Sequence, residues 1–293
     1  MLDLFLQLLI NGVYVGSVYA LLGLSFAIIF ETSKVWHFAQ GAVYTVAAYA
    51  VLGANEFVPI PLAVLIGAGV GGAGGLLCLI LLYEPLQRRN TAPLVIVMGS
   101  LGVTGIVENL LALAFGPTGY SLPGESAPPF FMDGLVVSVA QCVAPAIMLA
   151  AVVATLLILT RTAIGRSLRG LMGDAELLGL QGIETVRLKR MAFAAGSALL
   201  ALPAVLLLMS GAGVTPFVGI DAVLTGAMSV FLGGAGSLVG AAAGGFLIGL
   251  IENLAAFFVP TEWQVPVTYA LLLAFLLLRP TGLLGRGLAR STI

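Results

Sequence analysis

Two glutamates interrupt long apolar stretches of this sequence, Glu108 and Glu252, and each is followed by an amide, Asn109 and Asn253. A carboxylate in hydrocarbon costs about 2.5–3.5 kcal/mol on insertion scales, so such residues turn toward the interior of a helix bundle. There they can line a polar transport path. They can equally act as glue, with the amides hydrogen-bonding between helices; their position near the ends of their apolar runs favours glue. The single histidine, His37, stands in the run Trp36-His37-Phe38-Ala39-Gln40-Gly41. No His or Cys cluster accompanies it, so a metal site is not indicated. A lone histidine is usually a satisfied packing residue, yet this polar group breaks an apolar stretch. Broken membrane helices expose free N–H groups that can meet anionic parts of a substrate. The same two readings, pathway element or close helix packing, apply to Gly233 and Gly234 in the glycine-rich stretch 231–237.

Enzyme chemistry finds no constellation. A nucleophilic serine needs a base beside it, and the chain has no G-x-S-x-G and only one histidine. An aspartyl protease needs two intramembrane aspartates, and Asp221 stands alone. The phosphate-binding pattern G-x-x-x-x-G-K-[ST] is absent, and neither Lys34 nor Lys189 follows such glycines. If the protein drives transport with ATP, the motor is another polypeptide.

The polar segment 161–190 holds Arg161, Arg166, Arg169, Arg187, Lys189 and Arg190, half of the basic residues. Within it, Asp174-Ala175-Glu176-Leu177-Leu178-Gly179-Leu180-Gln181-Gly182 reads as a short helix. Asp174 can cap the free N–H groups, Glu176 suits the positive end of the dipole, and Gly182 suits the C-terminal turn. Its leucines form an apolar face with nothing in their own loop to cover them. That face either inserts into a cytoplasmic partner or lies on lipid headgroups.

The elements that must carry these groups can be read from composition. Of 293 residues, 60% are hydrophobic and 9% charged, against about 25% charged in soluble domains. So few charges cannot cover a water-facing surface, whereas lipid tolerates apolar side chains facing outward. A span needs about 20 apolar residues. Spans are expected at 5–30, 37–54, 58–83, 93–115, 134–160, 191–211, 236–257 and 265–279, with 212–235 short or discontinuous. The expected fold is an all-α polytopic membrane bundle of eight or nine crossings, one domain over 1–293. Lys and Arg gather on the cytoplasmic side. Placing Arg88, Arg89, the 161–190 loop, Arg279, Arg286 and Arg290 there puts the N-terminus outside, the C-terminus inside and all twelve basic residues on one face. Asp3, Glu56, Glu125, Asp133 and Glu262 fall on the other, and nine crossings satisfy the pattern best. The start of the chain lacks a basic n-region and reads as a retained anchor rather than a cleaved signal. Cys78 and Cys142 lie in apolar runs without metal-like spacing.

The sequence contains an internal echo. Gly105-Ile106-Val107-Glu108-Asn109-Leu110 returns as Gly249-Leu250-Ile251-Glu252-Asn253-Leu254, and Pro117-Thr118 returns as Pro260-Thr261. Transporters are often built from such repeats, though the match is short.

An ordered series of motifs resembles the branched-chain amino-acid ABC permeases of the LivH type. Asn11-Gly12, Gly16 and Tyr19-Ala20-Leu21 resemble their opening N-G…G…Y-A-L, and Phe38-Ala39 with Gly41 their N-F-A-H-G. Gly165, Arg166, Leu168 and Arg169 are similar to T-x-x-G-x-x-x-R-A, and Asp174, Ala175, Gly179 and Gly182 to the cytoplasmic coupling region. The stretch from Leu232 through Ser237 with Gly240 resembles L-G-G-x-G-S-x-x-G, and the run from Arg279 to Gly285 resembles R-P-x-G-L-F-G. The resemblance implies an importer of the bacterial inner membrane with a second homologous permease, two cytoplasmic ATPases that bind ATP and Mg, and a periplasmic substrate-binding protein. It implies a non-catalytic chain without a cofactor of its own. The segment 174–182 becomes the helix that meets the ATPase, and Asn11, His37, Gln40, Gly41, Glu108, Asn109, Gly233, Gly234, Glu252 and Asn253 become candidates for the pathway. Where the family has N-F-A-H-G-[ED], this chain has His37, Gln40 and Ala42 in place of the Asn, the His and the acid. If that element lines the path, the cargo differs from leucine, isoleucine or valine. A self-contained secondary transporter or channel is the competing reading.

Overall fold

A computed structural model describes residues 2–122, 130–132, 135–211, 213–279 and 281–285. Glu125, Asp133, Arg286 and Arg290, which contribute to the expected charge asymmetry, lie outside the described residues, as does Pro280 of the closing motif. Thirteen α-helices are described: α1 Leu2–Ser33, α2 Gln40–Asn55, α3 Ile60–Cys78, α4 Glu84–Arg88, α5 Pro93–Phe115, α6 Val139–Arg161, α7 Ala163–Gly173, α8 Ala175–Leu180, α9 Thr185–Ala198, α10 Ala201–Met209, α11 Val218–Gly233, α12 Leu238–Ala255 and α13 Gln264–Leu278. A π-helical turn, Leu79–Tyr83, joins α3 to α4.

Among the described residues, six segments are long and apolar enough to cross a membrane: Leu2–Ser33, Ile60–Arg88, Pro93–Phe115, Val139–Arg161, Thr185–Met209 and Leu238–Ala255. The helices α2 and α11 are shorter, at 16 residues each, as is α13 at 15. At 1.5 Å per residue, α11 is about 24 Å long, less than the roughly 30 Å hydrocarbon core. Of the two forms expected between 212 and 235, short or discontinuous, the structure shows the short one: α11 is a single continuous helix. The expected span 134–160 starts later, because Leu135–Val137 pairs antiparallel with Phe130–Met132 as a small hairpin, a local departure from an all-α chain. The helix α6 then begins at Ser138, whose side chain and that of Gln141 form a reciprocal capping box. The expected span 191–211 is two helices that bend at Leu199 and Leu200.

The helix α1 is the central post. Its most apolar window is 72% buried, against 17% for α6 and 22% for α5, and a helix apolar all round belongs inside. Without a hydrophobic force between helices in lipid, close approach depends on small residues. Along α1 and α12 the glycines interlock: Gly12 meets Leu250 and Asn253, Gly16 meets Phe246, and Gly245 meets the Tyr19 backbone. The helices α6, α9, α10 and α11 pack against this pair, α2 joins it through α10 and α11, and α5 and α13 stand at the periphery.

Contacts between sequence-distant residues sort into two ends. At one, Gln7 exchanges two hydrogen bonds of 3.0 Å with the Val136 backbone. Tyr120 and Val214 there form an isolated antiparallel bridge, and Phe5 packs edge-on against Phe257. At the other, Glu31, already paired with its near neighbour Lys34, accepts the Gly236 N–H, Glu84 meets Arg190, and the Leu283 and Leu284 N–H groups bond the Leu232 and Gly233 carbonyls. Lys34, Arg88, Arg169 and Arg190 stand at this second end.

Candidate functional site

The helix α8 is built as its sequence demands. The Asp174 carboxylate accepts the N–H groups of Glu176 and Leu177 at 2.9 and 3.0 Å. At the far end the Gly182 N–H bonds the Gly179 carbonyl at 3.0 Å and the Ile183 N–H bonds the Leu178 carbonyl at 3.4 Å. This double bond pattern is a Schellman motif, which needs a left-handed residue, and Gly182 has φ of +79°. The leucines divide. Leu178 is 7% exposed, while Leu177 and Leu180 are 55% and 81% exposed. The expectation that nothing in the loop covers the apolar face is therefore corrected for Leu178, which packs over Gly170 of α7 and joins the core through Leu168, Leu171 and Leu188. One leucine anchors α8; two project from it. Ala175, Glu176 and Gly179 lie exposed around them.

The turn between α1 and α2 forms a buried polar knot. His37 is fully buried, its Nδ1 is 2.7 Å from the Tyr83 hydroxyl, and its ring packs against Phe193. The Tyr83 hydroxyl also meets the Ser100 side chain and the Ala39 backbone. One turn on, the buried Gln40 amide donates to the Ser25 hydroxyl at 2.8 Å, and Ser25 donates to the Gly196 carbonyl at 2.6 Å. His37 Nε2, Gln40 Oε1 and Ser197 Oγ have no partner among the described residues. Gly41 faces Gly219 where α2 crosses α11; a Cβ on Gly41 would stand 2.7 Å from the Gly219 carbonyl oxygen. Trp36 stacks on Phe231 and pins this turn to α11.

The two echo motifs behave alike. The Asn109 and Asn253 amides each donate to the glycine one turn back, Gly105 at 2.7 Å and Gly249 at 3.0 Å. Each glutamate instead leaves its own helix. Glu108 accepts the Ile220 N–H at 3.1 Å in the first turn of α11, and Glu252 meets the Tyr19 hydroxyl of α1. Asp221, exposed on α11, lies in electrostatic range of Glu108, Tyr19 and Tyr269. The carboxylates thus share one region with two tyrosines, and Asp221 and Tyr269 remain open.

Asn11 accepts from the Gln141 amide and so ties α1 to the start of α6. Gly233 and Gly234 form the turn between α11 and α12, against Gly240 and the segment from Thr281 to Gly285. The pathway candidates therefore occupy separate places: the knot, the carboxylate region, the Asn11 clamp and the 233–236 turn. Sequence reasoning passed over Tyr83, Phe193, Ser25 and the Glu84–Arg190 pair. Tyr83-Glu84 before Pro85 was a signal at the end of an apolar run, but its partners lie on other helices, His37 46 residues away and Arg190 106 residues away.

A bundle of this kind, with six membrane-length helical segments among its described residues and buried polar groups, defines a polytopic membrane protein. The family described as branched-chain amino acid transport system / permease component matches residues 8–276, and the chain belongs to that family. It is 28% identical to the high-affinity branched-chain amino acid transport system permease protein LivH of Escherichia coli (strain K12), over 96% of each chain. It is 30% identical to the corresponding permease BraD of Pseudomonas aeruginosa, again over 96% of each. The xylose transport system permease XylH of Escherichia coli is 36% identical over 39% of this chain and 31% of its own. A solved chain of PsaBC from Streptococcus pneumoniae in complex with Fab superposes with a TM-score of 0.49 at 13% identity, covering 93% of this chain and 91% of that one.

Proposed function

We propose that this chain is the membrane-spanning permease subunit of an ATP-driven importer in the bacterial inner membrane, moving branched-chain amino acids or related small polar solutes by alternating access. The observation that carries the reading is α8, whose Leu177 and Leu180 stand exposed on a helix capped at both ends and anchored by Leu178. Two exposed leucines on a rigid helix amid basic residues suit insertion into a protein groove. In this reading two separate ATPases bind ATP and Mg, a second homologous permease completes the pathway, and a periplasmic protein delivers the cargo; this chain catalyses no bond change. Nine crossings, with the N-terminus outside and the C-terminus inside, fit the sorting of contacts into a basic end and its opposite. The carboxylate region around Tyr19, Glu108, Asp221 and Glu252 is the part of the surface best suited to the pathway, because an open carboxylate at that depth is costly against lipid.

The test is purification of the tagged chain with its chromosomal neighbours expressed, followed by uptake of radiolabelled amino acids into proteoliposomes. Copurifying ATPases and ATP-dependent uptake support the proposal. Uptake by the isolated chain without any ATPase overturns it in favour of a self-contained transporter.

A further inference from the structure

The helix α8 packs on α7 and also on α9, the next helix in the chain, so α9 is one route by which a displacement of α8 can enter the bundle. Two side chains on α9 leave that helix for a common target. Arg190 Nε and Nη2 donate to the two oxygens of Glu84 at 2.8 and 2.9 Å, a bidentate geometry that fixes orientation as well as distance. One turn on, Phe193 is fully buried against the Tyr83 ring, with centroids 5.8 Å apart, and against His37 at 5.1 Å. Glu84 and Tyr83 are adjacent, at the end of the π-helical turn Leu79–Tyr83. A π turn inserts an extra residue per turn and re-aims the helix beyond it, and such turns recur at functional sites. Here it lets Tyr83 point inward to His37 while Glu84 points to Arg190. The Glu84 side chain is 14% exposed and that of Arg190 42%, so the pair is largely shielded on the carboxylate side.

We propose that Glu84 and Arg190 are positioning residues for energy coupling. Their ion pair joins α9 to the π turn as one body, so that motion of α8 reaches the α1–α2 turn through the Tyr83–His37 contact. This rests on α8 being the docking helix. Without the pair, Phe193 still touches His37 and the α3 glycines still pack on α9, but the π turn and Tyr83 are no longer held in a fixed orientation to α9.

The experiment uses the assembled complex in nanodiscs, with Cys78 and Cys142 replaced by serine and Lys34→Cys reporting on the α1–α2 turn. The rate of its modification by a membrane-impermeant maleimide is read without nucleotide and with ATP trapped by vanadate, alongside ATPase activity. The unaltered pair should show a severalfold nucleotide-dependent change in rate. Arg190→Glu and Glu84→Arg should each abolish that change while ATPases still copurify and hydrolyse ATP, and the double swap should restore it. If either reversal prevents assembly, Arg190→Lys, which keeps the charge but not the fork, should reduce the change. A nucleotide response that persists in the single variants, is missing in the unaltered protein, or fails to return in the swap overturns the inference. Loss of ATPase copurification from the unaltered chain instead counts against the docking reading itself.

Discussion

The Glu108 carboxylate of α5 accepts the Ile220 N–H of α11 at 3.1 Å. An α-helix leaves its first four N–H groups without partners, and the first turn of α11 is partly buried, with Gly219 packed on the Gly41 backbone. A carboxylate borrowed from another helix satisfies one of them and meets the positive end of the dipole. Glu108→Ala should therefore lower thermal stability in detergent by several degrees, in line with the roughly 1–3 kcal/mol cost of orphaning a buried donor. Glu108→Gln keeps an acceptor oxygen and should lose much less. Equal losses would mean that the charge, not the hydrogen bond, matters at this position.

The divided leucines of α8 give a second prediction. Leu177→Asp with Leu180→Asp alters only projecting side chains, so the chain should insert normally and melt near the parent temperature while ATPase copurification falls at least tenfold. Leu178→Asp places a charge beside Gly170 in the core and should reduce folded protein itself. Size-exclusion recovery and pull-down of the ATPases, measured on the same preparations, separate the two effects.

The crossing of α2 and α11 gives a third. Gly41 and Gly219 each face the other's backbone, and a Cβ on Gly41 would lie 2.7 Å from the Gly219 carbonyl oxygen. Backbone cannot yield as a flexible side chain can, and overpacking of such a site costs about 1–3 kcal/mol. Gly41→Ala should destabilise the fold, whereas Gly53→Ala, with open space around it, should not. A Gly41→Ala protein with the parent's melting temperature would show that the two helices can separate freely.

Much of this was legible in the sequence. Membrane embedding, the short element before α12, the Asp174 cap and the Gly182 turn all follow from local rules, because composition and capping act within a few residues. The fate of single side chains was less accessible. Leu177 and Leu178 are neighbours of one type, and only the position of Gly170 in three dimensions decides which is covered. Arg190 counted as one cationic residue among six in its loop, and its pairing with Glu84 depends on the packing of α9 against the π turn. His37 read as a break in an apolar run; its burial depends on Tyr83 and Phe193, which arrive from two other helices.

That knot supports a final prediction. Tyr83→Phe removes the hydroxyl that His37 Nδ1 meets at 2.7 Å, while Nε2 has no partner among the described residues. The imidazole would then be buried with neither nitrogen satisfied, and a buried group stripped of its partner costs about 1–3 kcal/mol. Replacing both partners by apolar groups of similar shape removes the penalty at its source. His37→Leu combined with Tyr83→Phe should therefore melt closer to the parent than Tyr83→Phe alone, a coupling expected for residues in contact. The four proteins of this cycle can be compared by thermal unfolding in one detergent. Additive losses would show that the two side chains act independently, with the 2.7 Å contact contributing nothing to stability.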